Sequence, residues 1–271
     1  MKVPRLQYYA LGEGVTAFST TRQGGYSQGS YGEFNINRYC GDSEEAISQN
    51  RQLLCETLGI EDRCLLMPHQ VHLTEMTLVD EAFLRLSSDE QKQGLEGVDA
   101  VMTNVPGVCI GVSTADCIPV LLYDQVHHAS CAIHAGWRGT VKRIVEKAVA
   151  RMTEVYGSRP EDIVAQIGPG IHLESFEVGD EVFEAFAKEG FMMEAISKRY
   201  PVVGATADSA EKKKWHIDLP ECNRLQLLAS GVPANQIQVS PVCTFQQSET
   251  YFSARRLSVN SGRIFTGILR R

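Results

Sequence analysis

Helical signals stand out in four stretches of the chain, three of them with a start or stop signal at their ends. Ser43, followed by Glu44 and Glu45, opens the first; Ala46, Ile47, Leu53, Leu54 and Leu58 form its apolar face, and Gly59 stops it. The second starts near Val141. Val141, Ile144, Val145, Ala148, Val149, Met152 and Val155 share one face, Lys142, Arg143, Glu146, Lys147 and Arg151 the other, and Gly157 ends it. The third covers roughly Asp180 to Lys188. The fourth is announced by Asp218-Leu-Pro-Glu221, an N-cap with proline in the first turn and an acid three residues on, and it closes at Gly231.

Between and around these helices lie short aliphatic runs that read as strands: VDAVMTNV (98–105), GVCIGVS (107–113), CIPVLLYD (117–124), ASCAIHA (129–135), DIVAQIG (162–168), WHID (215–218) and QIQVS (236–240). A late pair split by Asn260-Ser-Gly-Arg263 reads as a hairpin. Pro119 inside CIPVLLYD marks that strand as an edge or a bend. A regular βαβ alternation is absent, so the expected class is α/β (α+β): mixed β-sheets layered with outer helices. Without a repeat, low-complexity tract or linker, one domain over residues 1–271 is expected.

Composition narrows the function classes. With 43% hydrophobic residues in 271, the chain can bury a full core. Its 26 basic and 33 acidic residues give a net charge of −7 with no long run of one sign, which points away from nucleic acid and membrane surfaces as partners. The start, MKVPRLQYYALGEG, lacks the apolar core of an export signal, and no stretch approaches a membrane span, so the expected location is cytoplasmic. Eight cysteines without a CxxC pair argue against a disulfide scaffold.

Three segments carry candidate chemistry. In SCAIHAGWRGTVKRIVEKAV (130–149), His134 sits where a strand ends and a helix follows, a place where α/β folds collect ligands. Gly136 and Gly139 allow close backbone approach, and Arg138 adds a donor suited to phosphate or carboxylate. The bland alternative is a buried, satisfied histidine beside a solvated arginine. MPHQVHLTEM (67–76) contributes His69 and His72; if this stretch is extended, their side chains point to opposite faces and one of them faces a shared site. STADCIPV (113–120) places Cys117 beside Asp116. A His/Cys/His set suits Zn²⁺ and leaves a fourth position open, although a lone cysteine such as Cys117 is more often core.

The strings HQVH, ADCxP and HAGWRG, in that order, resemble the signature of the YfiH-like family, first described as multicopper polyphenol oxidoreductases or laccase-domain proteins and later read as purine nucleoside phosphorylases. FSTTRQGGYSQGSYGEFN (18–35), IGPGIHLESFEV (167–178), DLPECNRLQLLASGV (218–232) and CTFQQSETYFSARR (243–256) agree with it, so the resemblance covers nearly the whole chain. It departs at Leu73, where a glycine is usual, at the added residue of Thr20-Thr21, and at Ala254-Arg-Arg-Leu257 in place of a YRRD ending.

The resemblance implies a fold like that of cytotoxic necrotizing factor and a metal triad of His72, Cys117 and His134. It also implies phosphorolysis of adenosine, inosine and methylthioadenosine, with deamination of adenosine. The implied cofactor is Zn²⁺, with Cu²⁺ as an alternative, and the implied partners are purine nucleosides and phosphate. Within that reading, Arg22 and Arg138 are the phosphate candidates, and His69 and Asp116 are the candidates for orienting a ligand. Asp99 and Asp116 are the acids expected nearest the site as partners that orient a histidine, although Asp99 reads more readily as an ordinary turn or cap aspartate. Two other readings stand beside this one: a metal-free cysteine hydrolase or deamidase with Cys117 as nucleophile and His134 as base, and a nucleotide-binding protein without turnover. A true multicopper oxidase is disfavoured because no His-x-His pair exists, which leaves at most a copper-dependent polyphenol oxidase side activity.

Overall fold

A computed structural model describes residues 2–201 and 213–271. Its largest sheet runs in the order β13 (Ile237–Val239), β9 (Ile163–Ile167), β7 (Ile118–Asp124), β8 (Ala129–Ala135), β5 (Ala100–Thr103) and β4 (Met76–Leu78). β7, β8 and β5 pair antiparallel, while the two edge strands pair parallel with their neighbours. A second sheet has the order β1 (Leu6–Tyr9), β2 (Val15–Thr20), β14 (Ile264–Arg270), β6 (Cys109–Thr114) and β3 (Leu65–Leu66). A small third sheet sets β12 (Lys213–Ile217) between β10 (Glu177–Val178) and β11 (Ser197–Pro201). Layered mixed sheets with helices outside are what the sequence pattern predicts.

The side-chain alternation of the strands sets the layers. Val101, Leu121 and Ala132 of the six-stranded sheet meet Ile110, Val112 and Ile268 of the five-stranded sheet in one core. Opposite them, Val120, Leu122, Cys131 and Ile133 pack under α5 (Ile144–Tyr156) and α8 (Leu219–Ala229) in a second core. α1 (Glu44–Leu58) covers the outer face of the five-stranded sheet through Leu54 and Leu58 against Phe18 and Phe265. The order across the molecule is thus helix, sheet, sheet, helices. α6 (Asp180–Lys188) and α7 (Met193–Ile196) lie along the third sheet, while α2 (Glu81–Leu84) and α3 (Ser88–Gly94) occupy the β4–β5 connection.

Three sequence expectations give way. The helix expected from Val141 is two helices, α4 (Trp137–Val141) and α5, because Arg143 adopts a left-handed φ of 62°. Its guanidinium holds that corner by bonding Glu146 and the Glu189 carbonyl over the Phe191 ring. The expected hairpin around Asn260 is not formed: residues 254–257 are a helical turn, α9 (Ala254–Leu257), capped by Ser253, and only β14 follows as a strand. Pro119 lies in a central strand, not at an edge. It is the second residue of β7, and its carbonyl accepts the Gly168 amide just beyond the last residue of β9, so the N–H it lacks falls where the ladder is already ending.

Candidate metal centre

The site forms at one end of the two large sheets, where three loops converge. His134 is the penultimate residue of β8, with the parity of Ala132, so its side chain enters the space between the sheets. Its Nδ1 bonds the Asp99 carboxylate at 2.7 Å. Asp99, just before β5, is fully buried, and its oxygens also accept the amides of Val71 (3.3 Å), His72 (2.9 Å) and Leu73 (2.7 Å). Three consecutive N–H groups wrap one carboxylate, and His72 takes a left-handed φ of 63° to close that turn. Burial alone would raise Asp99, but the bond to and charge of His134, together with the amides, outweigh it and hold the carboxyl below its ordinary value.

Cys117 arrives on the turn from β6 to β7. Asp116 before it has a φ of 90°, and its carboxylate accepts the Thr244 hydroxyl and the Arg255 amide, both at 2.7 Å, which ties the turn to α9. Gln70 clamps the His72 loop to the end of β6 by donating to the Ser113 carbonyl (2.8 Å) and accepting its amide (2.7 Å).

These restraints bring ligand atoms of His72, Cys117 and His134 within 4.8 Å of one another, the only such group of His, Cys, Asp or Glu found among the described residues. The two imidazoles stand edge to face, centroids 4.8 Å apart at 76°. Burial alone would raise the Cys117 thiol; the His134 charge and hydrogen bonds from His134 and His72 outweigh it and bring it down to about 6. Burial would likewise lower His134, but the Cys117 thiolate and Asp99 raise it to about 9. The pair is therefore a thiolate against an imidazolium at neutral pH.

A metal ion fits this donor set. With Nδ1 committed to Asp99, His134 turns Nε2 toward the thiolate and His72, the arrangement of a carboxylate-oriented ligand histidine. Gly136 leaves the cradle open: a Cβ there would stand 3.0 Å from His72 Cδ2 and 3.1 Å from Cys117 Sγ. One thiolate and two imidazoles suit zinc or copper and leave a coordination position for another group. The triad opens into a cavity of about 260 Å³ whose wall includes Asn37, Tyr39, Thr114 and Arg263.

The other anticipated residues fall elsewhere. His69 shares the cavity wall but bonds Glu96 at 2.6 Å and stacks on Tyr39, so it orients neither triad histidine. Asp116 positions the Cys117 turn through backbone and Thr244, not through a histidine. Asp99, one of the two acids expected near the site although read more readily as a turn or cap aspartate, takes the orienting role. The 69–72 stretch is a turn around Asp99 rather than an extended segment. Arg22 spends its guanidinium on the Gly32 and Ser248 carbonyls over Phe252, and Arg138 lies exposed across the Trp137 ring within the five-residue α4. Neither lines the cavity; Arg263, placed by sequence in a hairpin turn, does.

The family described as multi-copper polyphenol oxidoreductase laccase matches residues 16–271. The chain belongs to this family, the YfiH-like group of the sequence motifs. Among similar proteins, one named purine nucleoside phosphorylase, from Bacteroides thetaiotaomicron, is 48% identical over 255 residues, 94% of this chain and 91% of that one. One named adenosine deaminase RL5, from an unknown prokaryotic organism, is 42% identical over the full length of both. The crystal structure of YlmD from Geobacillus stearothermophilus superposes with a TM-score of 0.84 at 28% identity, covering all of both chains. The family's fold is therefore this chain's fold.

Proposed function

We propose that this chain is a zinc-dependent purine nucleoside enzyme that cleaves adenosine, inosine and methylthioadenosine with phosphate and also deaminates adenosine. The convergence of His72, Cys117 and His134 on one point carries the reading, and the names of the similar proteins support its substrate class. Zinc bound there supplies a Lewis acid and lowers the pKa of water. The protein's own part is positional. Asp99 accepts the Nδ1 proton of His134, so that Nε2 is the nitrogen turned to the metal position, and it fixes His72 through the backbone. The stacked rings of Tyr39 and His69, centroids 4.1 Å apart, give the cavity a flat aromatic wall that matches the face of a purine. Among the described residues no carboxylate lines the cavity, which suits an anionic cosubstrate.

A second reading has one observation in its favour. Asp99, His134 and Cys117 also have the order of orienter, base and nucleophile in a cysteine hydrolase. That chemistry has no use for His72, whose ring also bonds the thiolate. Purified protein of known metal content, given adenosine with and without phosphate, separates the two. Phosphate-dependent release of adenine and ribose 1-phosphate that vanishes in Cys117→Ala is the expected result; a metal-free protein active on amides would put the hydrolase first.

A further inference from the structure

Ser113, near the end of β6, is buried and ties together three segments of the cavity wall. β3 pairs with β6 only at Leu65 and Leu66, opposite Cys109 and Ile110, so among the described residues no strand flanks the rest of β6 on that side. The Gln70 carboxamide stands in for one: it accepts the Ser113 amide at 2.7 Å and donates to the Ser113 carbonyl at 2.8 Å. The Ser113 hydroxyl accepts from Asn37 Nδ2 at 2.5 Å and lies 3.4 Å from Gln70 Oε1. Gln70 stands two residues before His72 and Ser113 four before Cys117, so the backbone clamp fixes where two of the metal ligands start. The Asn37 bridge leads elsewhere. Its carboxamide oxygen accepts the Tyr39 amide at 2.6 Å, and the Tyr39 ring stacks on His69. His69 has anchors of its own: its amide donates to the Leu95 carbonyl, its carbonyl accepts the Gly97 amide, and its ring bonds Glu96.

We propose that Ser113 is a junction with two separable arms, and that Gln70 and Asn37 are positioning residues with different tasks. Gln70, through the Ser113 backbone, sets the spacing of His72 and Cys117 and so the strength and geometry of metal binding. Asn37, through the Ser113 hydroxyl, holds Tyr39 in the aromatic wall against which the base of a nucleoside lies. This second arm rests on the nucleoside reading above; the first rests on the metal triad alone. Both carboxamides are engaged by the protein, so each acts through another residue.

The test compares the wild type with Gln70→Met, Gln70→Asn, Asn37→Ala and Ser113→Ala. Zinc affinity is measured by competition with a chelator, ligand geometry by the visible spectrum of the Co²⁺-loaded protein, and inosine binding by calorimetry at saturating zinc in phosphate-free buffer, with Tm on each. Gln70→Met keeps the length of the side chain and loses both bonds. It is expected to bind zinc roughly 10- to 100-fold more weakly and to shift the cobalt spectrum, with inosine affinity unchanged once zinc is saturating. Gln70→Asn, which withdraws the same carboxamide by one carbon, is expected to lose zinc affinity in the same direction and replaces Gln70→Met if that variant does not fold. Asn37→Ala and Ser113→Ala are expected to weaken inosine binding about tenfold and to keep the zinc affinity and cobalt spectrum of the wild type. Ser113→Ala separates the arms most sharply: it removes the hydroxyl and leaves the backbone clamp whole, so it must follow Asn37→Ala and not Gln70→Met. Unchanged zinc affinity and cobalt spectrum in the Gln70 variants overturn the metal arm, and unchanged inosine affinity in both alanine variants overturns the wall arm. Variants that all lose zinc and inosine together, in step with Tm, overturn the proposal as a whole and make the junction a structural support. A wild type that binds no inosine would refute the nucleoside reading and the wall arm with it, while the zinc titration of Gln70→Met would still decide the metal arm.

Discussion

The Asp99 carboxylate accepts the His72 amide and the His134 imidazole on Oδ1 and the amides of Val71 and Leu73 on Oδ2. Asp99→Asn keeps the shape but turns one acceptor into a donor facing donors, so either the amides or His134 lose their partner. Metal affinity is expected to fall by roughly 10- to 100-fold, as it does when an outer partner of a ligand histidine is removed; competition with a chelator measures it, and an unchanged affinity would mean that Asp99 does not set the ligands. Cys117 gives a pH signature. In metal-stripped protein its thiolate persists down to about pH 6, so alkylation should rise with pH through about 6 and then level, far below the range of an ordinary thiol near 9. Burial pushes Cys40, Cys55, Cys109, Cys131 and Cys222 up, which leaves a low background from them. Mass-spectrometric labelling from pH 5 to 9, with Cys117→Ala as the blank, follows it, and an inflection near 9 would contradict the thiolate–imidazolium pair. At this scale the triad was legible because its motifs are short and local. Asp99 was legible only as an acid expected near the site, because its role exists only once residues 71–73 and β8 meet around it.

Helix ends show what local signals can specify. Gly59 closes α1 at a φ of 69°, and nothing lies within 4 Å of where a Cβ would go, so Gly59→Ala tests the backbone alone. A loss of about 1 kcal/mol is expected from the left-handed cap, read by urea unfolding, with zinc content unchanged because α1 lies on the far side of the five-stranded sheet. A cost near zero would mean that the cap relaxes. The starts of α1 at Ser43 and α8 at Asp218 were readable for the same reason: cap, first turn and apolar spacing act within a few residues; the bounds of α6, which has no side-chain cap, also match. The misreadings at Pro119 and at 254–263 have long-range causes. Pro119 is tolerated by where a neighbouring strand ends, and α9 is held by Asp116, 139 residues away from the Arg255 amide it accepts.

Across the whole molecule, the ends of the two central sheets gather loops from positions near 37, 70, 115, 134 and 263 into one cavity, and the residue types there define its chemistry. The pairing order that brings β14 beside β6 cannot be read from periodicity, so Arg263 was assigned to a turn and the phosphate role to Arg22 and Arg138, which the fold directs elsewhere. No helix among the described residues is long and apolar enough to cross a membrane. Everything proposed for this chain depends on one zinc held by His72, Cys117 and His134. X-ray absorption at the zinc edge, on protein whose metal has been quantified, tests that directly. One zinc per chain with a shell of one sulfur and two imidazole nitrogens, the sulfur absent in Cys117→Ala, is the predicted result; substoichiometric zinc, or a shell without sulfur, would contradict it.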